Sequence, residues 1–69
     1  MRTTPRDVLS PRQMETLRAI AEGRTDREIA RAMLIAECTA GRHVRDLLCK
    51  LDARNRAHAV HVAHERGLL

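Results

Sequence analysis

Residues 25–51, TDREIARAMLIAECTAGRHVRDLLCKL, decide the fold of this chain, because two helical patterns follow each other there with almost nothing between them. Thr25 and Glu28 have the spacing of a capping box, which satisfies free amides in the first turn of a helix. The inner face of that helix is formed by Ile29, Ala30 and Met33. After the short connection LIA, a third helix of the chain is predicted from about 37 to 51, with a longer apolar stripe at Ala40, Val44, Leu47, Leu48 and Leu51.

Two short helices joined by about three residues cross steeply, as in a helix-turn-helix. Such a unit needs a small residue where the second helix packs on the first, and Ala30 fits. Four residues later the turn takes a left-handed conformation that favours glycine, so Leu34 is a costly occupant. Six residues further on, Ala40 is apolar but small. The spacing is right and two of the three side chains are imperfect, a pattern that many three-helix bundles would also satisfy.

The flanking segments predict one helix on each side of this pair. In LSPRQMETLRAIAEG, Ser10 is placed to cap a helix, Pro11 suits its first position and Gln13 completes a capping box. Asn55 is placed to cap a fourth helix that ends near Arg66. The predicted core contacts of these two helices are Met14, Leu17, Ile20, Ala21, Ala59, Val60 and Ala63. We therefore expect an all-α four-helix bundle containing a helix-turn-helix over residues 9–69, preceded by an arm or linker at residues 1–8.

Composition narrows the classes of function. The chain of 69 residues has no Phe, Tyr or Trp, which excludes base stacking on aromatic side chains and an aromatic cage for a cationic ligand. Its formal net charge is +4, and 12 of its 13 basic residues are arginine. A basic balance favours a polyanionic partner, since attraction to phosphate comes with it. Charge alone is equally compatible with a basic domain that binds no nucleic acid.

The two cysteines, Cys38 and Cys49, fall on the third predicted helix. At about 1.5 Å of rise per residue they lie roughly 16 Å apart, too far for a disulfide between them. Two interpretations stay open: inert thiols facing solvent, or thiols whose oxidation blocks the neighbouring arginine face. A reduced compartment and the absence of a long apolar run lead us to expect a soluble, cytoplasmic protein without membrane contact.

The remaining reactive side chains do not predict an enzyme. No Ser, His and carboxylate set has recognisable spacing, and there is no glycine-rich phosphate loop. His58, His61 and His64 recur every three residues, but a metal site needs further ligands that converge on them. We expect these histidines to face solvent or a dimer partner, and we expect no cofactor and no metal.

Several segments occur together in a recognisable order from Leu9 to Leu69: LSPRQMETLRAIAEG, TDREIA, the pair Thr39 and His43, LLCKL, RNRAHAV and GLL. In this order they resemble the LuxR/GerE-type helix-turn-helix domain of LuxR, NarL/FixJ and GerE-like regulators. The resemblance implies sequence-specific binding of double-stranded DNA by a transcriptional regulator of the response-regulator kind, with the third helix in the major groove. It also implies a homodimer through the fourth helix, and RNA polymerase is a further candidate partner.

The resemblance carries over to individual positions. Arg42 and Arg45 match places from which relatives reach DNA bases, and arginine is well shaped to bond O6 and N7 of guanine together. Positions at or near backbone contacts of relatives are Thr25, Thr39, Gly41, His43 and Lys50. The candidate dimer residues on the fourth helix are His58, His61 and Val62. Without the resemblance, a solvated helix face would be the favoured interpretation of the two arginines.

Three positions depart from the family pattern: Ala36 replaces a usual Ser, Ala40 a usual Val and Gly41 a usual Lys. One hypothesis is a working DNA reader with weaker affinity or altered base preference. The other is a degenerate domain that acts as a protein-interaction module on RNA polymerase or a partner regulator. Region four of a sigma factor is a third alternative, because it also opens with an LSPRQ-like helix. The tail RNRAHAVHVAHERGLL argues against it.

Overall fold

The computed structural model describes residues 9–69, so the predicted arm or linker at residues 1–8 lies outside the described residues. The described chain forms four helices and no strand: α1 Pro11–Ala21, α2 Asp26–Met33, α3 Glu37–Leu51 and α4 Arg56–Glu65. The all-α prediction is therefore confirmed, and each helix begins within a residue of its predicted start. No helix of this described part has the length and apolar character needed to cross a bilayer.

Side-chain caps fix where three of the helices begin. Ser10 Oγ accepts the amide of Gln13 at 3.1 Å, and Gln13 Oε1 accepts the amide of Ser10 at 2.9 Å. Thr25 and Glu28 make the same reciprocal pair at 3.2 and 2.9 Å, so both predicted capping boxes are confirmed. Asn55 Oδ1 accepts the amide of His58 at 2.8 Å to begin α4. In α3, by contrast, the N-cap is Ala36 and no side-chain oxygen caps the helix.

The turn between α2 and α3 adopts the left-handed conformation that its position predicts. Leu34 has φ 58° and ψ 46°, and the amide of Ile35 donates to the carbonyl of Ala30 at 3.0 Å to close the helix end. The side chain of Leu34 is 91% exposed, so no burial offsets its backbone cost. The connection of residues 34–36 is thus short and held by backbone bonds, which places α2 and α3 as the two arms of a helix-turn-helix.

Helix α3 packs against all three other helices, and α1 also packs on α4. Leu17 of α1 and Leu47 of α3 are fully buried, and the fully buried Ala40 joins α3 to this core as predicted. The prediction for Ala21 was wrong: it is the last residue of α1 and is exposed, because the packed part of the helix ends at Ile20. Of the other predicted contacts, Met14 and Val60 are partly buried against the core, and Leu17, Ile20, Ala59 and Ala63 are buried.

Candidate nucleic-acid interface

The outward line of α3 carries the two arginines that sequence analysis selected. Four residues of α3 are buried: Ala40, Val44, Leu47 and Leu51. Because each helical residue turns by about 100°, the line opposite them consists of Cys38, Arg42, Arg45 and Cys49, and the exposed Asp46 lies next to it. All four of these residues are exposed. We call this line the outer stripe; it places two guanidinium groups, one turn apart, at the part of α3 farthest from the core.

The residues predicted to contact the DNA backbone lie at three places in the structure. Thr39, His43 and Lys50 share one flank of α3 and are half-buried, between the outer stripe and the protein body. Gly41 lies on the opposite flank, and Thr25 is exposed at the start of α2. The structure thus places three of the five on the same flank of α3.

The start of α2 forms an open polar hollow beside α3. Its lining combines three arginines, two carboxylates and a hydroxyl: Arg24, Arg27, Arg56, Asp26, Glu37 and Thr25. Thr25 uses its side-chain oxygen to cap α2, yet the hydroxyl hydrogen is still free to donate to a phosphate. Sequence reasoning named only Thr25 in this group. Arg24 and Arg27 could have been found as its neighbours, whereas Arg56 lies 30 residues from Asp26, with no local signal to connect them.

Gly41 is not required by the backbone or by crowding. The described glycines with positive φ are Gly23 and Gly67, so Gly41 keeps an ordinary helical conformation. A Cβ atom added at Gly41 would lie 3.5 Å from Oδ2 of Asp26, which is an ordinary contact distance. The missing side chain therefore leaves the flank of α3 bare beside the Asp26 carboxylate, with no steric need for it.

The histidines of α4 are held by local contacts. The rings of His58 and His61 stack with centroids 6.5 Å apart, and Nε2 of His61 lies 3.5 Å from the carboxylate of Glu65. Nδ1 of His58 accepts a hydrogen bond from the amide of Arg54 at 3.0 Å, so this nitrogen is already engaged. Within residues 9–69, no three potential metal ligands lie together. Of the candidate dimer residues, His61 is exposed, His58 is half-buried and Val62 packs partly against the core.

Comparison of the sequence with known proteins identifies a family. The model of the bacterial regulatory proteins of the luxR family matches residues 7–63. Transcriptional regulatory protein LiaR of Bacillus subtilis is 37% identical over 94% of this chain, and transcriptional activator protein CarR of Pectobacterium carotovorum is 39% identical over 88%. Nitrate/nitrite response regulator protein NarL of Escherichia coli is 38% identical over 96%.

The chain spans only part of the length of these relatives: 31% of LiaR, 25% of CarR and 32% of NarL. The family match nevertheless covers all of α1, α2 and α3 and most of α4. It includes both arginines of the outer stripe and all the residues that line the polar hollow. The chain belongs to the luxR family of bacterial regulatory proteins.

Proposed function

We propose that this chain is the DNA-binding part of a transcriptional regulator and that α3 enters the major groove of double-stranded DNA. The outer stripe is the observation that carries the proposal, because it places Arg42 and Arg45 where a helix lying in the groove meets base edges. An arginine there bonds O6 and N7 of a guanine, and the major groove is wide enough for an α-helix. The names of the relatives support the same conclusion: one is a transcriptional regulatory protein, one a transcriptional activator protein and one a response regulator protein.

Phosphate contacts in this proposal come from the flank of α3 and the start of α2. Thr39, His43 and Lys50 offer donors on one side of the outer stripe, and Thr25 offers a hydroxyl from α2. Such contacts set the register of a protein on DNA, while base contacts supply its specificity. Gly41 contributes only through its bare backbone, because the amide of an interior helical residue is already bonded within the helix.

A homodimer through α4 completes the proposal. His58, His61 and Val62 are its candidate interface residues, and a symmetric dimer would read two half-sites about one helical turn apart. In this proposal residues 9–69 are the DNA-binding unit and residues 1–8 an arm or linker, and the protein acts in the cytoplasm. The proposal includes no cofactor and no catalysis.

Selection from a random duplex library at two salt concentrations tests this function. We expect an enriched inverted repeat that contains guanines, with affinity that falls as salt rises because phosphate contacts release counterions. Arg42→Ala and Arg45→Ala should lose the enriched site. Arg18→Ala is the matched control, since it removes the same charge from an exposed position on α1. Salt-sensitive binding without enrichment would reduce the function to a nonspecific basic surface.

A protein-interaction module is the second candidate, favoured by a groove between α1 and α2. The groove encloses about 210 Å³, with an apolar floor that includes Ala19, Ile29 and Met33 and a rim of Glu15, Arg18, Glu22 and Arg24. RNA polymerase or a partner regulator would be the bound protein. A folded protein that fails to bind any duplex at low salt would select this candidate over DNA reading.

A further inference from the structure

One ion pair ties the start of α4 to the start of α2. A guanidinium nitrogen of Arg56 donates to Oδ1 of Asp26, across 30 residues of sequence. The other ion pairs among residues 9–69 are local: Arg24 with Glu22, and His61 with Glu65 one turn along α4. Asp26 and Arg56 are therefore the one pair of charges in this part of the chain that joins two different helices.

The placement of Arg56 is unfavourable for its own helix. It is the first residue of α4, where the helix dipole favours negative charge, and no acidic residue occupies the first turn of α4. Asp26 is the first residue of α2, where its negative charge is favourable. The interaction with its own helix dipole thus favours the charge of Asp26 but disfavours that of Arg56. The favourable interaction of Arg56 is the one with Asp26 on α2.

The carboxylate of Asp26 also lies beside α3, the helix proposed to enter the major groove. Oδ1 of Asp26 bonds Arg56, and Oδ2 lies 3.5 Å from the position of a Cβ on Gly41 in α3. The side chains of Asp26 and Arg56 are 31% and 41% exposed, so solvent screens the pair and its contribution to folding stability is small. A pair that adds little to stability, joins α2 to α4 and lies beside α3 is suited to fixing the relative positions of these helices.

We propose that Asp26 and Arg56 are positioning residues that hold α4 in a fixed position relative to the helix-turn-helix formed by α2 and α3. In this way they set the half-site spacing that a dimer recognises. This inference rests on the proposed function, in which α3 reads a half-site and α4 pairs two copies. Each half-site is read by one copy alone. The distance between half-sites depends on the position of α4 relative to α2 and α3, and the pair links the start of α4 to the start of α2.

The test compares three kinds of duplex: the selected inverted repeat, the same repeat with one or two base pairs added or removed between its halves, and a single half-site. Arg56→Gln and Asp26→Asn should each lower the preference for the selected spacing roughly two- to fivefold, the scale of an exposed ion pair, measured as the ratio of affinity for the repeat to affinity for the half-site. Taking the ratio between duplexes cancels the change of net charge that each variant brings. The charge-swapped double variant D26R/R56D should regain the preference, and unfolding midpoints monitor the fold of every variant.

Three results overturn the inference. In the first, Arg56→Gln keeps the spacing preference. In the second, the charge-swapped variant fails to regain that preference. In the third, Arg56→Gln weakens binding to all duplexes equally and the binding depends less steeply on salt. The last result would make Arg56 a direct phosphate contact. An unaltered chain that shows no spacing preference at all is a different failure, because it removes the proposed dimer rather than the role of the pair.

Discussion

Replacing Gly41 by alanine is expected to stabilise the domain by about 1 kcal/mol, the cost of a glycine inside a helix. Two observations allow the full gain. Gly41 has no positive φ, and the added Cβ would meet Oδ2 of Asp26 at 3.5 Å without displacing it. For a domain of this size, a gain of about 1 kcal/mol raises the midpoint of thermal unfolding by roughly 4–8 °C.

Thermal and urea unfolding followed by circular dichroism measure this change. Gly23→Ala is the matched control: it also has open space for a Cβ, but its φ of 81° makes any side chain costly, by about 1–2 kcal/mol. The two substitutions should therefore shift stability in opposite directions. A loss of stability in Gly41→Ala would refute the reasoning, since it would mean that α3 needs a bare backbone beside Asp26. If that bare backbone serves close approach to DNA, Gly41→Ala binds the selected duplex more weakly despite its greater stability.

The other two predictions concern the start of α3 and its outer stripe. Ala36→Ser should stabilise the domain by about 1 kcal/mol, because φ −69° and ψ 152° at Ala36 already suit an N-cap. The control is Ala32→Ser, at an exposed position in the interior of α2, which should lower the free energy of unfolding by about 0.5 kcal/mol. Equal shifts of the two variants in urea unfolding would contradict the capping argument. Alkylation of the exposed Cys38 and Cys49 with a bulky maleimide should abolish duplex binding in a titration, while the double serine variant treated with the same reagent keeps it. Unchanged affinity after complete alkylation would mean that the outer stripe lies outside the groove.

Much of the fold was predictable because its signals are local. Ser10 with Gln13 and Thr25 with Glu28 identify helix starts from residues three apart, and the structure confirms both reciprocal bonds. The left-handed turn at Leu34 follows from its position in the helix-turn-helix, even though the residue itself is unfavourable there. Helical periodicity also predicts Arg42 and Arg45 on an exposed face, and both are exposed in the structure.

The parts that sequence could not supply depend on distant residues. The bond between Asp26 and Arg56 has no sequence signal, because only the packing of α2 and α4 on α3 brings the two ends together. Ala21 has the right periodicity for the core, but the neighbouring helices leave it uncovered. The acceptor role of His58 toward Arg54 likewise follows from the geometry of the turn before α4.

The most direct test of the central claim is a double-mutant cycle on the binding free energy. It combines Arg45→Ala in the protein with replacement of one guanine in the selected duplex by an analogue that lacks the N7 acceptor. If Arg45 bonds that guanine, each change alone costs about 1–3 kcal/mol of binding free energy, and the second change adds almost nothing after the first. The same cycle repeated with each guanine of the half-site identifies the base that Arg45 reads. Additive losses at every guanine would show that Arg45 does not contact N7 of a base, and the assignment of the outer stripe to base reading would be wrong.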